Sequence, residues 1–190
     1  KDPGAIMTVE ELFLTGQHIE QYRHATYRPD DYYVEALRRD PGDIRSNNAY
    51  GLLLLRRGRF ADAEARFRAA IARMTERNPN PSSGEAFMNL GLALLYQGRD
   101  DEAYDAFFKA TWTAAEQETS YYVIAAIDCR RGDYALALEA MRKAGEPLKA
   151  GKVAELTGLD RKAVDKAMAA MKKDGSIVSP VRCKWEPAEK

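Results

Sequence analysis

The chain has 190 residues, enough for one compact domain or two small ones. Its apolar fraction of 45% is ordinary for a globular protein, and 29 basic residues balance 29 acidic ones, which excludes a wholly basic nucleic-acid binder and an acidic tail. The balance is uneven along the chain. Residues 146–190 hold 10 Lys and Arg against 7 Asp and Glu, a net of about +3 that suits a weakly basic C-terminal module.

The opening KDPGAIM places Met7 behind a short polar stretch, so residues 1–8 read as a lead ahead of the protein proper. VEELFLTGQHIEQYRHA follows and reads as a helix with Gly16 at a close-contact position. After the connector TYRPDD, YYVEALRRDPGD reads as a second helix carrying Ala36, which Asp40-Pro41 stops.

Next comes a repeat. LLRRGRFADAEARFRAAI recurs as LLYQGRDDEAYDAFFKAT and as DCRRGDYALALEAMRKAG, with turn glycines at Gly58, Gly98 and Gly132. The spacings are 40 and 34, and the loop NPNPSSG accounts for the extra six residues. Seven before each glycine stands a small residue: Gly51, Gly91, Ala125. Ala63, Ala103 and Ala137 stand five after it, Phe67, Phe107 and Met141 nine after, and Ala70, Ala110 and Ala144 twelve after. Small residues let antiparallel helices approach, and the large one fills the gap between neighbouring pairs. A 34-residue period with these offsets resembles the tetratricopeptide repeat (TPR) family over about residues 10–145, with a degenerate first unit. The phrases FLTGQHIEQYRHATY, RNPNPSSGEAFMNLGLAL and DEAYDAFFKATWTAA look most like repeats at the end of large bacterial proteins of a domain family of unknown function, which implies no assigned chemistry.

After Gly145-Glu146-Pro147 the period is lost. Residues 149–156 read as a short helix and 157–159 as a tight turn. Asp160 is suited to N-cap a helix running to about Lys173, with Val164, Ala167, Met168 and Met171 as its apolar stripe. SIV and CKW then flank SPVR as a two-stranded hairpin. GEPLKAGKVAELTGLDRKAVDKAM and KDGSIVSP resemble small bacterial and archaeal winged-helix regulators, over about residues 134–187. That resemblance implies DNA binding.

A winged helix needs a helix ahead of its helix-turn-helix, and the candidate, residues 134–144, is also the second helix of the last repeat. Its repeat face is Ala137, Met141 and Ala144, and its winged-helix face includes Leu136 and Leu138. Domains in natural chains usually meet through exposed linkers. The shared helix reads as an engineered chimera, with an economical natural fusion as the alternative. The expected fold is mainly α. About three and a half TPR hairpins in residues 9–145 continue into a winged helix-turn-helix with a small β-hairpin in residues 134–190.

An enzyme needs a constellation of reactive groups, and none is found; there is no P-loop or GxGxxG. His18 and His24 lie six apart, a spacing that does not share a helical face, and read as surface or packing residues. Asp100-Asp101 read as first-turn residues favoured by the helix dipole. Cys129 and Cys183 lack the spacing of a metal site, so no metal or cofactor is expected. No apolar run of about 18 residues predicts a membrane span, no signal peptide is recognised, and the reading is cytoplasmic.

The better site is the concave face of the first helices. The repeat offsets place there Arg45, Asn48, Leu52 and Arg56, then Glu85, Met88, Leu92 and Tyr96, then Tyr122, Ala126 and Arg130. Arginines and tyrosines suit an extended peptide with an acidic or carboxylate end. A solvated groove, or one used for self-association, is the alternative. Lys162, Lys166 and Lys173, with Arg182 and Lys184 in the wing, support at most weak, salt-sensitive contact with duplex DNA. The expected function is a non-enzymatic interaction scaffold, a rigid fusion that self-assembles as a homo-oligomer. The alternative is a transcription regulator that senses a partner in its groove and binds DNA.

Overall fold

The computed structural model describes residues 2–22, 24–133, 141, 143, 161–173, 175, 177–178 and 186–187. Most of the shared helix lies outside these residues, including Leu136, Ala137, Leu138 and Ala144. So do residues 149–156, Asp160, Arg182, Cys183 and Lys184. The chain divides into two units, Lys1–Ala103 and Tyr104–Lys190.

In the first unit, α1 (Val9–Tyr22) packs on α2 (Pro29–Arg39) and α3 (Ile44–Arg56) on α4 (Phe60–Thr75). α5 (Glu85–Tyr96) then packs on α4, and first helices touch first helices, α1 on α3 and α3 on α5. Local chemistry sets the ends. Thr8 Oγ1 accepts the Glu11 N–H at 3.1 Å ahead of α1, and Asp43 Oδ2 accepts the Ser46 N–H at 2.8 Å as N-cap of α3. Pro29 opens α2, where a missing N–H costs nothing. Gly58 and Gly98 follow α3 and α5 at φ 73°, a left-handed geometry that turns the chain into the next helix.

The small residues of the repeat explain how closely each pair approaches. A Cβ on Gly51 would lie 2.5 Å from Cε1 of Phe67, and one on Gly16 would lie 2.6 Å from Cε1 of Tyr33. Phe67 and Tyr33 are both fully buried. Ala63, Ala70, Ala103, Phe107 and Ala110 are likewise buried, as is Met141.

Residues 2–7 pack on the first helix pair. Ile6 is buried against Leu12, Ile19, Tyr32 and Ala36. Arg39 fastens the same segment by donating to the carbonyls of Ile6 at 2.6 Å, Met7 at 3.2 Å and Pro3 at 3.4 Å. A single apolar residue in a polar stretch was enough to anchor it.

One contact type recurs down the chain. The residue before each turn glycine reaches back to the second helix of the preceding pair. Arg57 grips the Asp30 carboxylate with both terminal nitrogens, its Nη2 at 2.8 Å from Oδ1. Gln97 Nε2 donates to Glu64 Oε2 at 3.0 Å. Arg131 lies over the Tyr104 ring, 4.8 Å from its centre. Glu64 and Tyr104 each stand six residues after a turn glycine, so one register serves three different chemistries.

α6 (Asp100–Ala110) spans the division between the units, and its first turn is acidic: Asp100, Asp101, Glu102. The second unit holds α7 (Ala114–Arg131), whose residues Val123 to Asp128 are all buried, and α8 (Arg161–Lys173). Met168 and Met171 of α8 are buried. β1 (Ile177–Val178) packs on α8 and pairs antiparallel with β2 (Glu186–Pro187), Ile177 opposite Pro187. CKW, expected in the second strand, lies outside the described residues.

Candidate functional site

Arg45, Asn48, Leu52 and Arg56 recur every three or four residues, which puts them on one side of α3. They line a groove of 690 Å³ together with Ala49 and, at the start of α5, Glu85. The facing wall belongs to α1: Phe13, Gln17, Glu20 and Gln21, with Tyr33 of α2 beneath. All of these lie in the first unit.

The arginines are not bare. Arg45 donates to both oxygens of Glu10, at 3.1 and 2.8 Å, while its guanidinium lies 4.8 Å over the Phe13 ring. That hydrogen bond and charge hold the Glu10 carboxyl below the usual carboxylate range. Arg56 donates through Nη1 to Glu20 Oε1. The other oxygen of Glu20 accepts the Tyr33 hydroxyl at 3.1 Å. Burial, reinforced by Glu20, pushes the Tyr33 hydroxyl well above the ordinary tyrosine range. Asn89 Nδ2 donates to Asn48 Oδ1 at 2.9 Å, which fixes that carboxamide from the neighbouring helix. The groove can therefore grip a polar main chain and seat small apolar side chains on Leu52 and Ala49.

Other expected members stand elsewhere. Met88, Leu92 and Tyr96 do not line this groove. The Tyr96 ring is taken by Phe60, stacked at 5.0 Å with 18° between planes. Tyr122 and Arg130 are half-buried on α7 in the second unit, and Ala126 is buried outright. The wall the repeat offsets missed is α1, because the degenerate first repeat (α1 and α2) lacks a turn glycine to count from. Its signal was present as Phe13, Gln17, Glu20 and Gln21 at helical spacing.

Of the expected nucleic-acid contacts, Lys162, Lys166 and Lys173 are exposed on α8. Asp165, the acidic residue among them, accepts from Arg161 Nε at 3.2 Å. The His18 ring lies 4.5 Å from that of Tyr22, tilted by 42°, and His24 Nδ1 accepts the N–H groups of Thr26 and Tyr27 at 3.2 and 3.3 Å, so both histidines make local contacts. Cys129 is a free thiol that burial pushes up to about 11. Asp128 is buried in α7, its carboxylate oxygens without a hydrogen bond and Arg131 at 3.8 Å; burial raises its pKa. Among the described residues no group of three or more His, Cys, Asp or Glu is placed to hold a metal, and no helix is long and apolar enough to cross a membrane.

Residues 31–73 and 48–118 match the tetratricopeptide repeat family. Solved structures share the fold at low identity. A crystal structure of MamA protein is 20% identical with TM-score 0.62, covering 87% of this chain and 91% of that one. The pilF protein of Pseudomonas aeruginosa is 20% identical with TM-score 0.65, covering 87% and 76%. PilW, described as a widely conserved type IV pilus biogenesis factor, is 24% identical with TM-score 0.57, covering 85% and 76%. The chain thus carries a TPR-type helical array.

Proposed function

We propose that the protein is a non-enzymatic interaction module whose first unit receives an extended polypeptide in the groove between α1 and α3. The observation that carries this reading is the lining itself. Paired charges, carboxamides and one apolar step at Leu52 face a groove of 690 Å³, without a nucleophile and base within reach of each other. Such a surface suits a main chain with alternating side chains better than a small rigid substrate. Selection of peptides from a displayed library tests it. The protein should enrich a related set of sequences, and Leu52→Asp should lower their binding at least tenfold while helix content is unchanged, because a carboxylate would replace the apolar step. Enrichment that is indifferent to Leu52→Asp would place the binding surface elsewhere.

The second unit supports a finer reading. We propose that α8 and the β1–β2 pair belong to a winged helix joined to the repeats through residues 134–144. In support, Met168, Met171 and Ile177 are buried and β1 packs on α8. In this reading the module makes a fixed scaffold that self-associates. The pairing of Asp165 with Arg161 and the exposed lysines of α8 favour the second possibility, contact with duplex DNA. Light scattering in a concentration series, without and then with duplex DNA at low salt, separates the two. A stable multiple of 21.3 kDa unaffected by DNA supports the scaffold. A salt-sensitive DNA complex of the monomer supports the regulator. A monomer indifferent to DNA removes both.

A further inference from the structure

We propose that the second unit self-associates through an exposed ridge at the end of α6, two copies packing antiparallel with Phe108 and Lys109 at the two-fold axis. The inference rests on the proposed self-association and names its surface.

Among the described residues of the second unit, Phe108 and Trp112 are the large hydrophobic side chains left exposed, at 47% and 60%. The repeat register makes them unusual. Phe108 stands ten residues after its turn glycine, where the preceding repeat has Arg68 and the next has Arg142. Arg68 is half exposed at that place and pairs with Glu64 and Glu102, so the position faces solvent. Trp112 stands fourteen after the glycine, where the other two repeats have Ala72 and Glu146. The fold of a repeat asks for no aromatic at either position. This pair is apolar surface that the repeat's own core does not use.

The residues around the pair fit a second copy of the chain. Asp105, Phe108, Lys109 and Trp112 are spaced three, one and three apart, which puts them on one ridge. Trp112 lies in the closing turn of α6, its N–H on the Lys109 carbonyl at 3.3 Å, and the Lys109 ammonium lies 3.9 Å from the centre of its ring. The spacing reads the same in both directions. A reversed copy aligned on the middle of the ridge sets Asp105 opposite the second copy's Trp112, and Lys109 opposite the second copy's Phe108. Both pairs are complementary, since a carboxylate accepts from an indole N–H and an ammonium is attracted to an aromatic face. Each pair occurs twice, as a two-fold interface requires. A parallel arrangement would instead set Asp105 beside Asp105 and Lys109 beside Lys109, which repel.

Sedimentation of the full chain over a concentration series at low salt tests this. The wild type is expected to pair reversibly, moving toward twice 21.3 kDa. Phe108→Arg should weaken pairing about tenfold, as loss of a central aromatic does. Helix content should be unchanged, because Arg68 already occupies this register on α4. Trp112→Ala, which copies Ala72 of the preceding repeat, should weaken pairing by a similar factor. Asp105→Asn reads the direction. An antiparallel pair loosens about threefold, because the indole loses a charged acceptor. A parallel pair tightens, because two like charges are removed. Pairing unchanged by Phe108→Arg or by Trp112→Ala, or not loosened by Asp105→Asn, overturns this inference and leaves self-association to another surface. A wild type that stays monomeric at every concentration overturns both.

Discussion

Gly51→Ala is expected to destabilise the first unit by about 3 kcal/mol, the upper part of the range for overpacking a tight core. Two effects oppose each other. Alanine is the better helix former by about 1 kcal/mol, so at an open position of α3 the change would stabilise. At this position the new Cβ would lie 2.5 Å from Cε1 of Phe67 and 2.9 Å from Cδ1 and Cζ. The ring is fully buried, and protein interiors are packed too densely for it to turn away freely. The clash therefore wins, either by forcing α3 from α4 or by driving Phe67 off its rotamer. Urea unfolding followed by far-ultraviolet circular dichroism reads the loss. Phe67→Leu in the same chain should recover part of it, because the smaller side chain vacates the contact, and the two changes should be clearly non-additive. A loss below about 0.5 kcal/mol would show that the pair has slack, and the repeat's small-to-large rule would lose its physical basis here.

That rule is also why much of the fold was legible. A turn glycine, a small residue before it and alanines and a large residue after it are local choices that a repeat must make again in every copy. Burial of Ala63, Phe67, Ala70, Ala103, Phe107 and Ala110 follows from offsets alone. Helix ends were legible for the same reason: Asp40-Pro41 stops α2 at Arg39. The groove was half legible. Arg45, Asn48, Leu52 and Arg56 follow from the offsets, whereas the α1 wall depends on a unit that has lost its turn glycine. Charge pairing was not legible at all. Glu10 is 35 residues from Arg45 and Glu20 is 36 from Arg56, so nothing local announces that the groove's arginines are already partnered. Tyr96 stacks on Phe60, a contact between α5 and α4 that the repeat offsets do not announce. The contacts of residues 3–7 were not legible either, since Ile6 meets Tyr32 and Ala36 and Arg39 meets the carbonyls of Pro3, Ile6 and Met7 only across the fold.

The recurring contact behind the turn glycines gives the second large effect. Asp30 is 6% exposed, and its carboxylate is held by Arg57 on two nitrogens and by Arg28 Nη2 at 3.0 Å. Hydrogen bonding to Arg57 outweighs the cost of burial and holds the Asp30 pKa at about 2, against an ordinary 3.8. Because the folded value is the lower one, the stabilisation is fully present above about pH 4 and is lost as the pH falls through 2. The difference in pKa corresponds to about 2 kcal/mol. Wild-type protein should therefore lose about that much between pH 4 and 2 beyond its general acid sensitivity, and Asp30→Asn should remove this part of the slope. Arg57→Ala should cost about 2 kcal/mol at neutral pH, since Arg28, which is largely exposed, remains as a weaker partner. Removing both arginines should cost about 3 kcal/mol, because a nearly buried carboxylate is then left without a counter-charge. Arg57→Lys should fall between, as one ammonium cannot span both oxygens. If the acid slope of Asp30→Asn matches that of the wild type, Asp30 is not the group that titrates, and the contact between α2 and the end of α3 is held by packing alone.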